Sequence, residues 1–232
     1  MKFPAPLIPG ILLSRYKRFL ADVKLEDGQI VTTHCPNSGS MKSCNTPGSR
    51  VYLSYHDKPS RRLKYTWELV EANQTWVGIN TGHPNKLVAE AIKENLISEL
   101  QGYSRIQPEV KFGKHSRIDL LLEGPDGICY VEVKNVTLVE NGRARFPDAV
   151  TLRGQKHLND LMKAVKLRHR AVIFFVVQRE DASSFSPADD IDPDYGKLLR
   201  RAVNRGGVEA LIYQTRISPR EIMIQNSLPL SL

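Results

Sequence analysis

The chain has 232 residues, of which 41% are hydrophobic and 25% are charged, as in globular proteins with a substantial core. No apolar run approaches the roughly 20 residues of a membrane-spanning helix, and the proline-rich residues 4–9 do not suit a signal peptide. We therefore expect a cytoplasmic protein without a membrane partner. The net charge of +8 favours a polyanion such as nucleic acid as partner, although a merely soluble basic protein has the same charge.

The chain has three cysteines, Cys35, Cys44 and Cys129, and no CxxC pair. This cysteine content is typical of a reducing compartment. His34 precedes Cys35 but has no second close-spaced pair to complete a structural zinc site. We therefore expect ordinary cysteines in the core or in loops.

Residues 1–80 show short strand patterns separated by turn signals. Residues 19–25 and 30–34 alternate apolar and polar side chains around Asp27-Gly28, which predicts a hairpin. Further strands are expected where β-branched and aromatic residues concentrate, at 50–55, 63–71 and 75–79. Such a series of short strands without a helix favours a small β-barrel of the oligonucleotide-binding (OB) kind, although a plain β-sandwich fits nearly as well.

The pattern changes after Thr81, where we place the boundary between domains 1–80 and 81–232. A helical period of apolar residues runs from Pro84 to Leu100. Strands are then expected at 107–112, 117–123, 128–138, 171–177 and 208–214, and helices at 152–167 and 194–204. The apolar run at 171–177 is typical of a strand buried on both faces. This order predicts an α+β, or mixed α/β, second domain.

Two of the expected strands flank a turn signal at residues 124–127. Counting back along both strands places Asp119 directly opposite Glu132, where facing Cβ atoms lie about 4.5–5.5 Å apart. Lys134 is two residues from Glu132 and therefore points to the same face. Two carboxylates and one ammonium thus converge, and a hard divalent cation such as Mg²⁺ prefers oxygen donors of this kind.

The alternative is an ordinary surface salt-bridge cluster, because Glu-x-Lys also occurs by chance, as in Glu109-Val110-Lys111. The setting of the second copy differs, since Val131, Val133 and the apolar run 118–122 make its strands core elements. Charge is costly in a core unless it is paired or binds a metal. We therefore favour a metal or catalytic site.

Basic residues concentrate between residues 141 and 170, where only Asp148 and Asp160 oppose them. The segment contains no recognised base-reading helix, which predicts electrostatic binding with little sequence preference. We expect contacts to phosphates from Arg143, Arg145, Arg153 and Lys156, although a plain basic loop would look the same. Barrel contacts are expected from Arg15, Lys17, Arg18, Arg61 and Arg62 beside Tyr16 and Tyr65, aromatic residues that also suit simple strand packing.

The motif Asp119 followed by Glu132-Val133-Lys134 resembles the PD-(D/E)xK nuclease core. Over nearly its whole length the chain is similar to the sugar fermentation stimulation protein A family. The segments that carry this resemblance are residues 34–41 (His-Cys-Pro-Asn-Ser-Gly-Ser-Met), 116–119, 130–134, 145–151 and 155–158. Ile118 stands where the nuclease motif expects proline, and Pro147-Asp148 comes too late in the chain to replace it.

The resemblance implies an OB-like barrel joined to a restriction-endonuclease-like domain. It implies DNA binding with little sequence preference and a link to the regulation of sugar use, notably of maltose. The alternative function is a nuclease that depends on Mg²⁺ or Mn²⁺. In that function Asp119, Glu132 and the Val133 carbonyl would hold the cation, and Lys134 would orient and help deprotonate the attacking water.

Further candidates follow from the same resemblance. Related nucleases often take an acid from the first helix, and Glu99, like Asn95, falls on the predicted apolar face of that helix. The alternative is a glutamate at the helix end whose carboxylate extends into solvent. Gln155 occupies the place of a glutamine near related sites, and a solvated helix residue is its alternative. We expect His157 to face DNA or solvent rather than to act as a general base. DNA or RNA preference, strandedness and oligomeric state stay open.

Overall fold

The computed structural model describes residues 1–113 and 116–232. The helices are α1 (Pro84–Lys93), α2 (Leu152–Lys166) and α3 (Pro193–Asn204). The strands are β1 (Ile8–Tyr16), β2 (Leu20–Leu25), β3 (Ile30–His34), β4 (Arg50–Tyr55), β5 (Tyr65–Ala72), β6 (Thr75–Gly78), β7 (Arg105–Phe112), β8 (Ser116–Gly124), β9 (Gly127–Val136), β10 (Leu138–Glu140), β11 (Arg143–Phe146), β12 (Arg170–Val177), β13 (Ser184–Pro187), β14 (Glu209–Ile217) and β15 (Ile222–Ser227).

The first domain is a closed barrel. Its strands follow the order β3-β2-β1-β4-β5-β6, and a parallel pairing of β3 with β5 joins the two sides of the sheet. Leu12, Val23, Leu53 and Trp67 fill its interior at 0% exposure because inward side chains alternate along each strand. The OB-like barrel is therefore confirmed, and the β-sandwich alternative is wrong. All three cysteines are free and buried.

The sequence patterns did not predict β1, β10, β11, β13 or β15 as separate strands. β1 contains Pro9 and a register shift between Leu12 and Ser14, which interrupt the regular alternation of the strand. It nevertheless pairs with β2 on one side and β4 on the other, so the barrel depends on it. Pairing with distant segments thus overrides a weak local signal.

The second domain is a three-layer structure around a mixed sheet of order β15-β14-β12-β9-β8-β7. β12 lies in parallel between β9 and β14 and is buried on both faces, as predicted. Val172 and Phe174 pack in the core that includes α1, whereas Ile173 and Phe175 pack in the core that includes α2 and α3. A small sheet, β10-β11-β13, lies beside this layer. None of the helices within the described ranges is long and apolar enough to cross a membrane.

The first helix ends at Lys93, not at Leu100 as the apolar pattern predicted. Asn95 adopts a left-handed conformation with φ of 57°, and its amide donates to the Ile92 carbonyl over 3.1 Å. The Leu96 amide donates to the Ala91 carbonyl over 2.9 Å, which completes a Schellman motif. Residues 98–100 form a separate 3₁₀ turn that returns Leu100 to the same core. The apolar spacing therefore continues although the helix does not.

A buried arginine joins the two domains. Arg179, just after β12, is 0% exposed and donates to the Asp181 carboxylate through Nε and Nη2, both at 2.6 Å. Its Nη1 donates to the Thr137 carbonyl at 3.0 Å and to Ser43 Oγ at 3.3 Å. Ser43 belongs to the barrel domain and itself donates to the Thr137 carbonyl over 3.1 Å. One guanidinium thus fixes a barrel loop against the end of the central sheet.

The beginning of the chain also packs on the second domain. Lys2 forms an antiparallel bridge with Glu221, and the Phe3 amide donates to the Arg220 carbonyl over 3.0 Å. Leu7 is buried in the core that includes α1. Residues 1–7 therefore contribute to the second domain, although they precede the barrel in sequence.

We expect Arg179→Ala to destabilise the protein by about 3–5 kcal/mol, because it leaves buried polar partners of a charged group without their donor. At about 2–4 °C per kcal/mol for a chain of this size, the melting temperature should fall by at least about 6 °C. Arg216→Ala is the matched control, since Arg216 is exposed and its distance to Glu221 is 3.9 Å. Equal melting temperatures for the two variants would contradict the joining role of Arg179.

Candidate metal centre

The Asp119 carboxylate lies where the pairing between β8 and β9 ends. The pairing runs in the predicted register from Glu123↔Ile128 to Leu120↔Val131, and the turn is tighter than predicted because Gly124 pairs with Gly127. Beyond Leu120 the next bond uses a side chain, since the Val133 amide donates to Asp119 Oδ2 over 2.8 Å. Asp119 and Glu132 are therefore adjacent as predicted, but a side-chain bond to β9 replaces the backbone ladder there.

Glu132 is a buried acid in the central strand β9, with 1% exposure. Lys134 Nζ donates to its Oε1 over 2.6 Å, and His157 Nδ1 contacts the same oxygen. Burial pushes the pKa of Glu132 upwards, but the bonds and charges of His157 and Lys134 outweigh burial and hold this pKa below its usual value. The other oxygen, Oε2, is buried without a hydrogen-bond partner among the described residues. A buried carboxylate oxygen is therefore left to accept a ligand.

The environment of Asp119 shifts its pKa the other way. Burial, followed by the nearby charge of Glu132, raises the pKa of Asp119 above its usual value despite the bond from the Val133 amide. Asn85, in the first turn of α1, donates to Asp119 Oδ1 over 2.9 Å. The two acids thus repel each other at close quarters, and a cation between them would relieve this repulsion.

His157 lies on the buried face of α2, with 8% exposure, so the expectation that it faces DNA or solvent is wrong. Arg153, one turn earlier, donates from Nε to His157 Nε2 over 3.3 Å. Because Nε2 accepts, Nδ1 carries the proton and donates to Glu132. Lys134 Nζ also lies 2.9 Å from Nδ1. The helix thereby fixes Glu132 from one side, and the same Glu132 oxygen holds Lys134.

The structure places two predicted site residues in other networks. Gln155 donates to both Asp192 oxygens, at 3.1 and 3.3 Å, and Asp192 caps α3 by accepting from the Tyr195 amide. Glu99 lies in the 3₁₀ turn and accepts from the Tyr213 hydroxyl over 2.7 Å. Within the described residues neither side chain bonds to the paired acids.

The first helix contributes an amide instead of an acid. Asn85 lies at the second position of α1, and neither its residue type nor its place on the helix indicates a metal site in the sequence. Asn95 lies just after the end of α1, in a left-handed conformation, so its predicted place on the apolar face of the helix is wrong. In residues 1–113 and 116–232, no three His, Cys, Asp or Glu side chains form a metal-binding group. A cation here would rely on two carboxylates together with the Val133 carbonyl, amides and water.

Two of the basic residues expected to contact nucleic acid, Arg15 and Arg145, are held by acceptors inside the protein. Arg15 donates to backbone carbonyls of residues 37–40, the closest being Asn37 at 2.8 Å, and so shapes the loop at residues 34–41. Arg145 forms ion pairs with Glu140 and Asp190. Two carboxylates neutralise the charge of Arg145, and the donors of Arg15 are used by loop carbonyls. Both residues are therefore weaker candidates for phosphate contacts.

Four further basic residues from this set, Arg18, Arg143, Arg153 and Lys156, are exposed. Lys156 pairs with Asp160 over 3.2 Å and contacts Ser116. The chance copy of Glu-x-Lys, at residues 109–111, lies on β7, where Glu109 is exposed and pairs with Arg117. It is a surface pair and not part of the site.

The loop at residues 34–41 connects the barrel to the segment before α2. Asp148 accepts from the Met41 amide over 3.2 Å and from Ser40 Oγ over 3.3 Å. A Cβ atom on Gly39 would lie 2.4 Å from an Asp148 oxygen, so this contact requires glycine. Residues 37–39 of the loop and residues 135–138 and 145–151 line one cleft between the two domains, and Asn135, the residue after Lys134, belongs to it.

Comparisons with known proteins agree with this architecture. A model of the SfsA N-terminal OB domain matches residues 13–79, and a model of the sugar fermentation stimulation protein RE domain matches residues 82–221. Sugar fermentation stimulation protein homologs of Pelobacter propionicus and Geotalea daltonii are 63% and 62% identical, over 100% and 98% of both chains respectively. The structure of Pyrococcus furiosus SfsA in complex with Ca²⁺ superposes with a TM-score of 0.90 at 29% identity, covering 100% of this chain and 98% of that one. The chain therefore belongs to the sugar fermentation stimulation protein family.

Proposed function

We propose that the protein binds nucleic acid, DNA in the first place, with little sequence preference, and hydrolyses phosphodiester bonds at Asp119 and Glu132. The observation that carries this proposal is the Oε2 atom of Glu132, which is buried in the central strand beside a second carboxylate and has no hydrogen-bond partner in residues 1–113 and 116–232. A structural ion pair would satisfy both oxygens, because an unpaired buried acceptor costs about 1–3 kcal/mol. A nucleic-acid substrate also implies a cytoplasmic location.

The residues present fit a divalent cation. Asp119 and Glu132 supply oxygens, and the Val133 carbonyl supplies a third, which suits Mg²⁺ or Mn²⁺ with the remaining positions filled by water. When bound, such a cation provides an activated water and stabilises negative charge on the phosphate. The Ca²⁺ in the structure of the related Pyrococcus furiosus protein supports a divalent ion in this family.

The neighbouring side chains have distinct tasks in this proposal. Lys134 Nζ, held by Glu132 at 2.6 Å, donates to the attacking water and orients it, and its charge makes loss of a proton from that water easier. His157 Nδ1–H fixes Glu132 Oε1, so that Oε2 stays directed to the cation position. Asn85 fixes the Asp119 carboxylate through Oδ1. Gln155 and Glu99 have no task at the site, because their side chains bond to Asp192 and Tyr213.

The second candidate is a DNA-binding regulator of sugar use that does not cleave. Both Asp119 oxygens and one Glu132 oxygen already accept hydrogen bonds from the protein, which favours this alternative because the acids are largely satisfied without a cation. The name of the related proteins, sugar fermentation stimulation protein homolog, agrees with a role in sugar use. Cleavage of DNA that depends on Mg²⁺ separates the two candidates.

The first test is a metal-dependent change in stability. A ligand that binds only the folded state at a hundredfold excess over Kd stabilises it by about 2.7 kcal/mol. Mg²⁺ or Mn²⁺ should therefore raise the melting temperature by about 5–10 °C for a chain of this size. Asp119→Asn should abolish this rise and DNA cleavage, while leaving the metal-free protein equally or more stable because the repulsion with Glu132 is relieved.

The matched control is Glu109→Gln, which removes the same charge from the exposed Glu-x-Lys on β7 and should keep the full metal effect. Differential scanning calorimetry with and without metal measures both variants. A metal effect that is the same in Asp119→Asn and in the wild type would disprove this site.

The second test separates metal binding from chemistry. Lys134→Ala should keep the rise in melting temperature with Mg²⁺ but lower the rate of DNA cleavage by about 10²–10⁴-fold, the usual contribution of a proton-transfer group. Lys93→Ala, at the exposed end of α1, is the control and should cleave like the wild type. Single-turnover cleavage of labelled duplex measures the rates. Wild-type cleavage by Lys134→Ala would exclude the proposed task of this residue.

A further inference from the structure

A groove of about 1150 Å³ runs between α2 and α3 on the outside of the second domain. We call it the α2/α3 groove. Met162 and Val165 contribute apolar surface to it, whereas its cationic side chains are Lys156, Lys163, Lys166, Arg201 and Arg205. None of its lining residues takes part in the metal centre.

Two glycines after α3 bring the cations of the two helices together. A Cβ on Gly206 would lie 2.8 Å from Met162 Cγ, and one on Gly207 would lie 2.9 Å from Val165 Cγ1. The chain after α3 therefore packs directly on α2 without intervening side chains. This packing places Arg205, the residue before the glycines, on the same groove as Lys166.

The charge of the groove is not balanced by acids. No carboxylate belongs to its lining within the described part of the chain, and Asp160, buried below, pairs with Lys156 and Lys163. Arg201 donates to Asn159 over 3.2 Å, a neutral acceptor. Across residues 1–113 and 116–232, Lys166 and Arg205 form no ion pair. Five cations thus face solvent over a single buried acid, which makes the groove a site for a polyanion.

The groove continues towards the metal centre. Lys156 lines both the α2/α3 groove and the cleft that contains Arg153 and His157. From Lys156 to Lys166 the helix rises about 15 Å at 1.5 Å per residue. One strand of a duplex carries a phosphate about every 3.4 Å along the axis, so this length corresponds to about four phosphates.

We propose that the α2/α3 groove binds the phosphate backbone of a nucleic-acid strand that extends beyond the metal centre. The inference rests on the proposed function for the position of the strand but adds a second, non-catalytic contact region. The continuity through Lys156 favours nucleic acid over an acidic protein segment. The groove lining has no aromatic side chain in the described residues, so it contacts phosphates rather than stacked bases and adds affinity without sequence preference.

The test compares two variants with the same loss of charge. Lys166→Gln with Arg205→Gln removes two cations from the groove, whereas Lys93→Gln with Arg220→Gln removes two exposed cations elsewhere. Fluorescence anisotropy in metal-free buffer measures the binding of a duplex of about 30 base pairs, roughly 100 Å at 3.4 Å per pair, over a range of salt concentrations. Calorimetry checks that each variant melts like the wild type.

For the groove variant we expect the slope of log K against log salt to become shallower by about 1.8, or about 0.9 for each lost phosphate contact. At about 0.1 M salt this corresponds to roughly 60-fold weaker binding, and the control variant should keep the wild-type slope. Equal slopes and affinities for the two variants would overturn the inference and leave the groove to an acidic protein partner.

Hydrolysis of bis(p-nitrophenyl) phosphate by the wild type with Mg²⁺ tests the metal centre separately, because this small diester is too short to span the groove. Binding that depends on the groove without hydrolysis of the diester or the duplex would support the groove and reject the phosphodiesterase. Hydrolysis with unchanged binding by the groove variant would reject the groove alone. A wild type that does not bind the duplex at all would reject the groove, and hydrolysis of the small diester would still decide on the metal centre.

Discussion

The hydrogen bond from the Val133 amide to the Asp119 carboxylate determines the geometry on which the candidate site depends. It ends the backbone ladder between β8 and β9 and replaces it with a side chain at the level of Glu132. β9 keeps its other ladder, with β12, through the same residues, so Glu132 stays on the central strand of the sheet. The side of β9 that loses its ladder to β8 therefore still belongs to a sheet of three parallel strands, β9, β12 and β14. This sheet is a rigid support for charged groups.

Rigid support explains why charges persist in this core. A buried carboxylate requires partners, and Glu132 obtains them from its own strand through Lys134 and from α2 through His157. Asp119 obtains its partners from β9 and from α1 through Asn85. The helix layer with α1 thus holds Asp119, and the helix layer with α2 holds Glu132. The remaining oxygen of Glu132 is the part of this arrangement that stability alone does not account for.

Regular elements with local signals could be predicted from the sequence. The hairpin around Asp27-Gly28, the bounds of β4 and the buried β12 followed from alternation, turn residues and apolar runs. The register of Asp119 and Glu132 also followed, because a short turn fixes the facing of both strands. The strand pattern favoured the OB-like barrel, and the family resemblance added the restriction-endonuclease-like (RE) domain.

What the sequence did not predict depends on contacts between distant residues. No local pattern marks Asn85 as the partner of Asp119, or distinguishes a buried His157 from an exposed helix residue. Glu99 was assigned to a helix because Leu100 keeps the helical spacing, although Asn95 reverses the chain in between. Arg145 looked available for phosphate because Asp190, which neutralises it, lies far along the chain.

The bridge between Lys2 and Glu221 gives the protein an order of assembly. The barrel strands are neighbours in sequence and can pair while the chain is still being synthesised. Lys2, Phe3 and Leu7 have no place to dock until β14, β15 and the turn between them exist. Contacts between opposite ends of a chain have the greatest loop-closure cost, and they are expected to form late. Cutting the protein at Thr81 would therefore not release an intact second domain, because the cut would also remove residues 1–7, which pack on that domain.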